Sequence, residues 1–163
     1  MVISDQFKVE NDKANMGIKF DWGGNVTDAI TSNSVSFSSP GKDSTQNIST
    51  NFGFKRLITF DFRITNNGSD RGYVIGGAAR PSTTTLKAQW DFLMDEVIEA
   101  TVDDLGAAIN VKDSKYKVFL YIAGTPQNFE GMIENITINP SDGSPFLEGS
   151  LTLIVGGVNA FVG

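Results

Sequence analysis

The segment from residue 82 to residue 156 decides the fold of this chain. It opens with STTTLKAQWDFLMDEVIEATVDDLG, residues 82–106, and continues into KVFLYIAGTPQNFEGMIENITINPSDGSPFLEGSLTLIV, residues 117–155. The first stretch carries one apolar stripe at helical spacing, formed by Leu86, Trp90, Leu93, Met94, Val97 and Ile98. Such a stripe predicts an amphipathic helix. Cap-forming Ser and Thr residues and a stop at Gly106 set its expected extent at about 82–105.

Three strand-like stretches follow this helix and are separated by turn-forming residues. They are Lys117–Ile122, Phe129–Asn139 and Leu147–Val155. The turns between them contain Gly124-Thr125-Pro126 and Pro140-Ser141-Asp142-Gly143. The pattern predicts an antiparallel meander of three strands.

The first half of the chain adds strands with a period of two. In Phe52–Thr65, the side chains of Ile58, Phe60, Phe62 and Ile64 alternate with those of Thr59, Asp61, Arg63 and Thr65. Asn67-Gly68 is a hairpin signal, so we expect Gly72–Ile75 to pair back onto this strand.

Other parts of the first half have weaker patterns. Met16–Trp22 predicts a short strand that ends at Gly23-Gly24-Asn25. The polar segment at about 38–51 predicts a long inter-strand loop or a hairpin tip, and residues 1–15 predict an N-terminal arm. The expected fold is mainly β (α+β): a single domain over 1–163, built as an antiparallel β-sandwich or barrel with one flanking helix.

Charge balance and missing residue types exclude several classes of function. The chain has 163 residues, with 13 Lys and Arg against 19 Asp and Glu, and its formal net charge is −6. Basic side chains that displace counterions drive nucleic-acid binding, so this chain is a poor candidate for gripping DNA. Because Cys and His are absent, thiol catalysis, catalytic triads and zinc sites built on those ligands are also excluded.

No stretch approaches the apolar length of a membrane-spanning helix, so we expect no membrane partner. Residues 1–15 are polar and of mixed charge, unlike a signal peptide, so we expect no export by the general secretory route.

Two further classes stay open as alternatives. Asp95 and Glu99 lie one helical turn apart and could act as an acid–base pair, although charged residues normally form the solvated face of such a helix. Trp22 and Phe54 lie beside turns and could stack on a sugar in a binding module. We favour the solvated face, and predict no enzyme and no catalytic, metal or cofactor-binding residue.

The order of elements resembles the tail-tube family of tailed bacteriophages and viruses and of related contractile injection systems. The polar segment Ser38–Asn51 lies between two strands, where the family has a long inter-subunit loop, and the helix follows the Asn67-Gly68 hairpin. The sequence FEGMI, residues 129–133, is similar to the aromatic-x-Gly-x-Ile return strand of tail proteins. The sequence GSLTL, residues 149–153, is similar to their closing strand.

The resemblance implies a structural virion protein of the tail, assembled in the host cytoplasm. Its subunits would form stacked hexameric rings, and DNA would pass through the tube as non-specific cargo. Sheath, baseplate or tail-terminator proteins are the other implied partners. Inter-subunit contacts would come from Pro40, Gly41, Lys42, Asp43, Gln46, Ile48 and Phe52. Asp61 and Arg63 would face the lumen.

Two alternatives to the tube remain at this point. The first is a distal-tail or baseplate ring, or a tube adaptor, which forms one ring and does not polymerise. The second is a non-catalytic β-sandwich module that binds carbohydrate or a receptor.

Overall fold

One antiparallel sheet accounts for every strand in the residues that the computed structural model describes, which are 7–37, 48–65, 71–77, 85–139 and 145–156. The strands, in chain order, are β1 (Lys8–Asn11), β2 (Met16–Lys19), β3 (Trp22–Phe37), β4 (Ile48–Thr65), β5 (Gly72–Val74), β6 (Tyr116–Ile122), β7 (Thr125–Asn139) and β8 (Phe146–Val155). Their order across the sheet is β3-β4-β8-β7-β6-β1-β2-β5. This confirms the mainly β, α+β class.

The sheet curls until its two ends face each other across the core. Phe20, which follows β2, stacks on Phe62 of β4 with ring centroids 4.5 Å apart. Phe7, which precedes β1, meets Phe60 of β4 at 5.6 Å. These partners belong to strands that are far apart in the sheet order, so the curl and not strand pairing brings them together.

The inner face of the curl holds the predicted alternating residues. All four inward residues of β4 are at most 1% exposed, and Leu147, Leu151 and Leu153 of β8 are also buried. Burying one such side chain contributes roughly 1.5–3 kcal/mol. Alternation in β4 and β8 therefore predicted the core correctly.

The helix packs its predicted stripe into this core but is shorter than 82–105. It comprises an α-helical part, Leu86–Asp91, and a π-helical part, Phe92–Ile98. Its first turn is capped by Thr85, whose Oγ1 accepts from the backbone N–H of Ala88. Within the stripe, Leu93, Val97 and Ile98 are buried, and Leu86, Trp90 and Met94 are partly buried.

The helix ends at Ile98 because two strands take its last carbonyl groups. The Nδ2 atom of Asn11 on β1 donates to the carbonyl of Val97 at 2.7 Å. The hydroxyl of Tyr116 on β6 donates to the carbonyl of Ile98 at 2.5 Å. Helix ends need such partners for their free carbonyls. Among the described residues, no helix reaches the length and apolar character that crossing a membrane requires.

Three strand boundaries expected in the first half were wrong. Gly23-Gly24-Asn25 does not end a strand, because β3 runs through it with a register shift between Gly23 and Val26. Such a bulge accommodates glycine without ending the pairing. Residues Ile48–Asn51 were expected in the 38–51 loop, but they pair with β3. Within the predicted 1–15 arm, Lys8–Asn11 is instead strand β1, paired on both sides by β2 and β6.

The partner expected for Gly72–Ile75 was also wrong, because β5 pairs with β2 and not with β4. A Cβ atom on Gly72 would lie 2.7 Å from the ring of Phe92, so glycine lets the helix pack directly on β5. The turn between β6 and β7 falls at Ala123 and Gly124, both with positive φ, and β7 begins at Thr125 instead of Phe129.

Candidate assembly surfaces

Strands β3 and β4 continue past the end of β8, the other neighbour of β4 in the sheet. Their pairing runs from Trp22↔Arg63 to Phe37↔Ile48. Strand β8 accompanies β4 only as far as the pair Leu57↔Ile154. Among the described residues, 48–56 of β4 therefore pair with β3 alone. We call residues 29–37 and 48–56 the ribbon.

An ion pair holds the base of the ribbon to the sheet. The guanidinium of Arg56 donates from Nε to Asp28 Oδ1 at 2.9 Å and from Nη2 to Oδ2 at 2.6 Å. This two-pronged hydrogen bonding to Arg56 lowers the pKa of Asp28. The same guanidinium lies 4.9 Å from the ring centroid of Phe129 on β7. The base of the ribbon is thus tied to a strand two places away in the sheet.

The predicted inter-subunit residues divide into two groups. Pro40, Gly41, Lys42, Asp43 and Gln46 lie outside the described residues. Ile48 and Phe52 belong to β4 within the ribbon, where the backbone of Ile48 is paired with Phe37. The contact role of all seven residues stays a prediction.

Asp61 and Arg63 lie on the outer face of β4, opposite the buried Phe60 and Phe62. Arg63 forms an ion pair with Glu148 of β8, and its guanidinium lies 4.4 Å from the ring centroid of Phe146. Its positive charge is therefore already balanced within the chain. The lumen role of both residues stays a prediction.

Small polar groups surround Asp61 on this outer face. Asp61 is paired with Ser150 of β8, which is paired in turn with Thr137 of β7. The Oγ1 atoms of Thr59 and Thr152 lie 3.1 Å apart. We call this outer surface of β4, β8 and β7 the hydroxyl face. It presents hydroxyl groups and carboxylates, which do not attract a polyanion.

No family model matches this chain, and no curated protein matches it. A solved structure to which this chain is similar is described as the tail of an empty gene transfer agent (GTA) particle, computed with helical refinement and C6 symmetry. The identity is 12%, the TM-score is 0.37, and the match covers 96% of each chain.

The alternative sites gain no support from the described residues. Asp95 on the helix and Glu99, which directly follows its last residue, are both exposed, whereas Leu93 and Val97 are buried. No group of three potential metal-ligating side chains occurs within the described parts of the chain. Trp22 and Phe54 lie in β3 and β4, and their side chains are outside what the structure describes.

Sequence reasoning missed a buried ion pair at the corner where β2 passes into β3. Arg71 Nη2 lies 2.5 Å from Asp21 Oδ2, and both side chains are 0% exposed. Arg71 also donates to the carbonyl of Thr65 at 2.9 Å, and the Thr65 N–H donates to Asp21 at 2.8 Å. The pair joins the start of β3 to the end of β4. Because the two residues are fifty positions apart, no local spacing could have indicated it.

Proposed function

We propose that this chain is the structural subunit of a viral tail tube, made of stacked hexameric rings through which DNA passes. The ribbon is the observation that carries the proposal. An isolated two-stranded ribbon is marginally stable in water, and three or more strands or a packed face are needed for independent stability. A ribbon of seven residue pairs therefore fits a chain that receives support from a neighbouring subunit.

Ile30 at the base of the ribbon supports the same view. Its side chain is 65% exposed on the edge strand β3. Edge strands with exposed apolar residues favour association, and natural monomers normally protect them. In the proposed tube, the ribbon bridges adjacent rings and the open edges of β3 and β5 meet neighbouring subunits within a ring.

The hydroxyl face supports a lumen role. Asp61 and Glu148 contribute carboxylates there, and two described cations that β4 places on this face, Lys55 and Arg63, are paired with Glu134 and Glu148. DNA would find few cations to hold it and would slide through such a channel. Sheath, baseplate or tail-terminator proteins would contact the outside and ends of the tube, assembled in the host cytoplasm and retained in the virion tail.

Electron microscopy of the purified protein, beside light scattering, tests the proposal. We expect rings or tubes with a central channel. The matched variant replaces residues 35–50 by Asn-Gly, a two-residue turn that would join the paired residues Ser34 and Asn51. It should fold, and it should lose ring stacking because the bridge is gone.

Two results would count against the tube. A uniform population of 17.6 kDa monomers at all concentrations would refute assembly. Single rings that never stack, in both the parent chain and the variant, would instead identify a distal-tail, baseplate or adaptor ring.

A further inference from the structure

The helix over residues 86–98 buries a different face from the one that its sequence specifies. At α-helical spacing, one apolar face would be formed by Leu86, Trp90, Leu93, Met94, Val97 and Ile98. In the structure, Leu86 and Trp90 are only partly buried. Two residues outside the stripe, Gln89 and Phe92, are buried instead, at 0% and 6% exposed. The first part of the helix is therefore turned away from its own apolar stripe.

The π-helical segment Phe92–Ile98 produces this turn. Its hydrogen bonds reach one residue further than α-helical bonds, as where the N–H of Glu99 donates to the carbonyl of Met94 at 2.8 Å. Each extra residue taken up in this way rotates the preceding part of the helix by about 100°. Where the two helical parts meet, the N–H of Phe92 is shared between the carbonyls of Ala88 and Gln89. Short π-helical segments are rare and are frequently found at functional sites.

The side chain of Gln89 shows that the observed arrangement carries a cost. Its Nε2 and Oε1 atoms are buried, and neither has a hydrogen-bond partner within the described parts of the chain. A buried amide without partners is destabilising. Packing of Phe92 opposes this cost, because the ring lies so close to β5 that a Cβ atom on Gly72 would be 2.7 Å from it. A favourable and an unfavourable burial are thus coupled in one helix.

The end of the helix is fixed, so a change in its turn would move only the part before it. The carbonyl of Val97 accepts from Asn11 at 2.7 Å, and that of Ile98 accepts from Tyr116 at 2.5 Å. The cap at the beginning is local, since the N–H of Ala88 donates to Thr85 Oγ1 at 3.1 Å. This cap can turn together with the first part of the helix.

We propose that the helix is a conformational switch with two registers. In the π register, which the structure shows, Gln89 and Phe92 lie in the core. In the α register, the first part of the helix turns about its axis, and Leu86 and Trp90 enter the core. Phe92 then reaches the surface, because five α-helical residues place it about 140° around the axis from Val97. Gln89 moves to the margin of the stripe, where its amide meets water.

The switch gives a partner a register to select. A partner that binds Phe92 on the surface favours the α register, since this side chain is buried in the π register. In the proposed tube that partner is the next subunit, so the free subunit withholds a contact that forms on assembly. This use of the switch rests on the proposed function. The two registers themselves belong to the single subunit and are testable without assembly.

The fluorescence of Trp90 in the dissociated subunit tests the second register. A Trp22→Phe background leaves Trp90 as the one tryptophan of the chain. Gln89→Glu adds a charge that cannot stay buried without a partner. At neutral pH we expect the emission of Trp90 to shift to shorter wavelength, because the helix turns and buries this ring. Gln127→Glu, the same substitution at an exposed position of β7, should leave the emission unchanged.

Two results of the fluorescence experiment would overturn the switch. An unchanged emission in Gln89→Glu would show that the helix keeps one register. A shift to longer wavelength would show that the helix melts instead of turning.

Thiol labelling gives a second readout that needs no added charge. The chain contains no cysteine, and Gln89→Cys and Val97→Cys each introduce one at a position that is 0% exposed. Gln89→Cys should react roughly tenfold or more faster, because Val97 is buried in both registers and its position opens only with global unfolding. Equal labelling rates would overturn the switch, and rings formed by the same protein would leave the tube standing. Faster labelling at position 89 in a chain that stays monomeric at all concentrations would uphold the switch and refute the tube.

Discussion

At the scale of single residues, the buried ion pair of Asp21 and Arg71 lies at the passage from β2 to β3 and binds Thr65 at the end of β4. Removing one partner of a buried ion pair leaves an uncompensated charge and typically costs about 3–5 kcal/mol. We therefore expect Arg71→Met to lower the free energy of unfolding by about that amount, measured from urea unfolding midpoints. Arg56→Met is the matched control, because its partner Asp28 is about one-third exposed. Pairs exposed to that degree contribute about 0–1 kcal/mol.

Equal losses in the two arginine variants would contradict this assignment. They would mean that burial of the Arg71 pair adds nothing beyond a surface ion pair. A small loss of unfolding free energy in Arg71→Met would indicate that the packing of Phe20 on Phe62 stabilises this part of the sheet instead.

At the scale of elements, one side chain of β1 fixes the end of the helix. Asn11 is 0% exposed, accepts from the N–H groups of Lys13 and Ala14, and donates to the carbonyl of Val97 and to Ser114 Oγ. Each buried polar group left without a partner costs about 1–3 kcal/mol. We expect Asn11→Ala to destabilise the chain more than Ser114→Ala, which removes only one of these bonds, in thermal unfolding. The reverse order would show that the helix end does not depend on Asn11.

At the scale of the whole molecule, local patterns predicted elements but not their partners. The strand at Ile58–Ile64 and the helix could be predicted because each shows its period in consecutive residues of the sequence. The position of β1 between β2 and β6 could not be predicted from the sequence. Its buried Asn11 interrupts the apolar pattern and is held by contacts with the distant residues Val97 and Ser114. The pairing of β5 with β2 likewise brings together distant residues, since Gly72 of β5 also lies against Phe92 of the helix.

The candidate surfaces were likewise predictable where they depend on local sequence and unpredictable where they depend on distant partners. The sequence indicated that something polar separates two strands near 38–51, but Ile48–Asn51 lack an alternating apolar face, so their pairing with β3 left no signal. Asp61 and Arg63 were correctly placed on the face opposite the core. The partner of Arg63, Glu148, lies eighty-five residues away, so only the register of β4 against β8 brings the two together.

We also expect the backbone hydrogen bonds of the ribbon to open more readily than those of the rest of the sheet. Segments supported by few contacts open with a free energy near zero, and core strands open only with global unfolding. In the dissociated subunit we expect amide hydrogens of residues 48–56 to exchange rapidly and those of residues 57–65, which β8 also pairs, to exchange slowly. In the assembled state, residues 48–56 should become protected because a neighbour supports the ribbon. Equal protection of residues 48–56 in both states, measured by hydrogen exchange with mass spectrometry, would show that the ribbon needs no neighbour and would remove the observation on which the tube proposal rests.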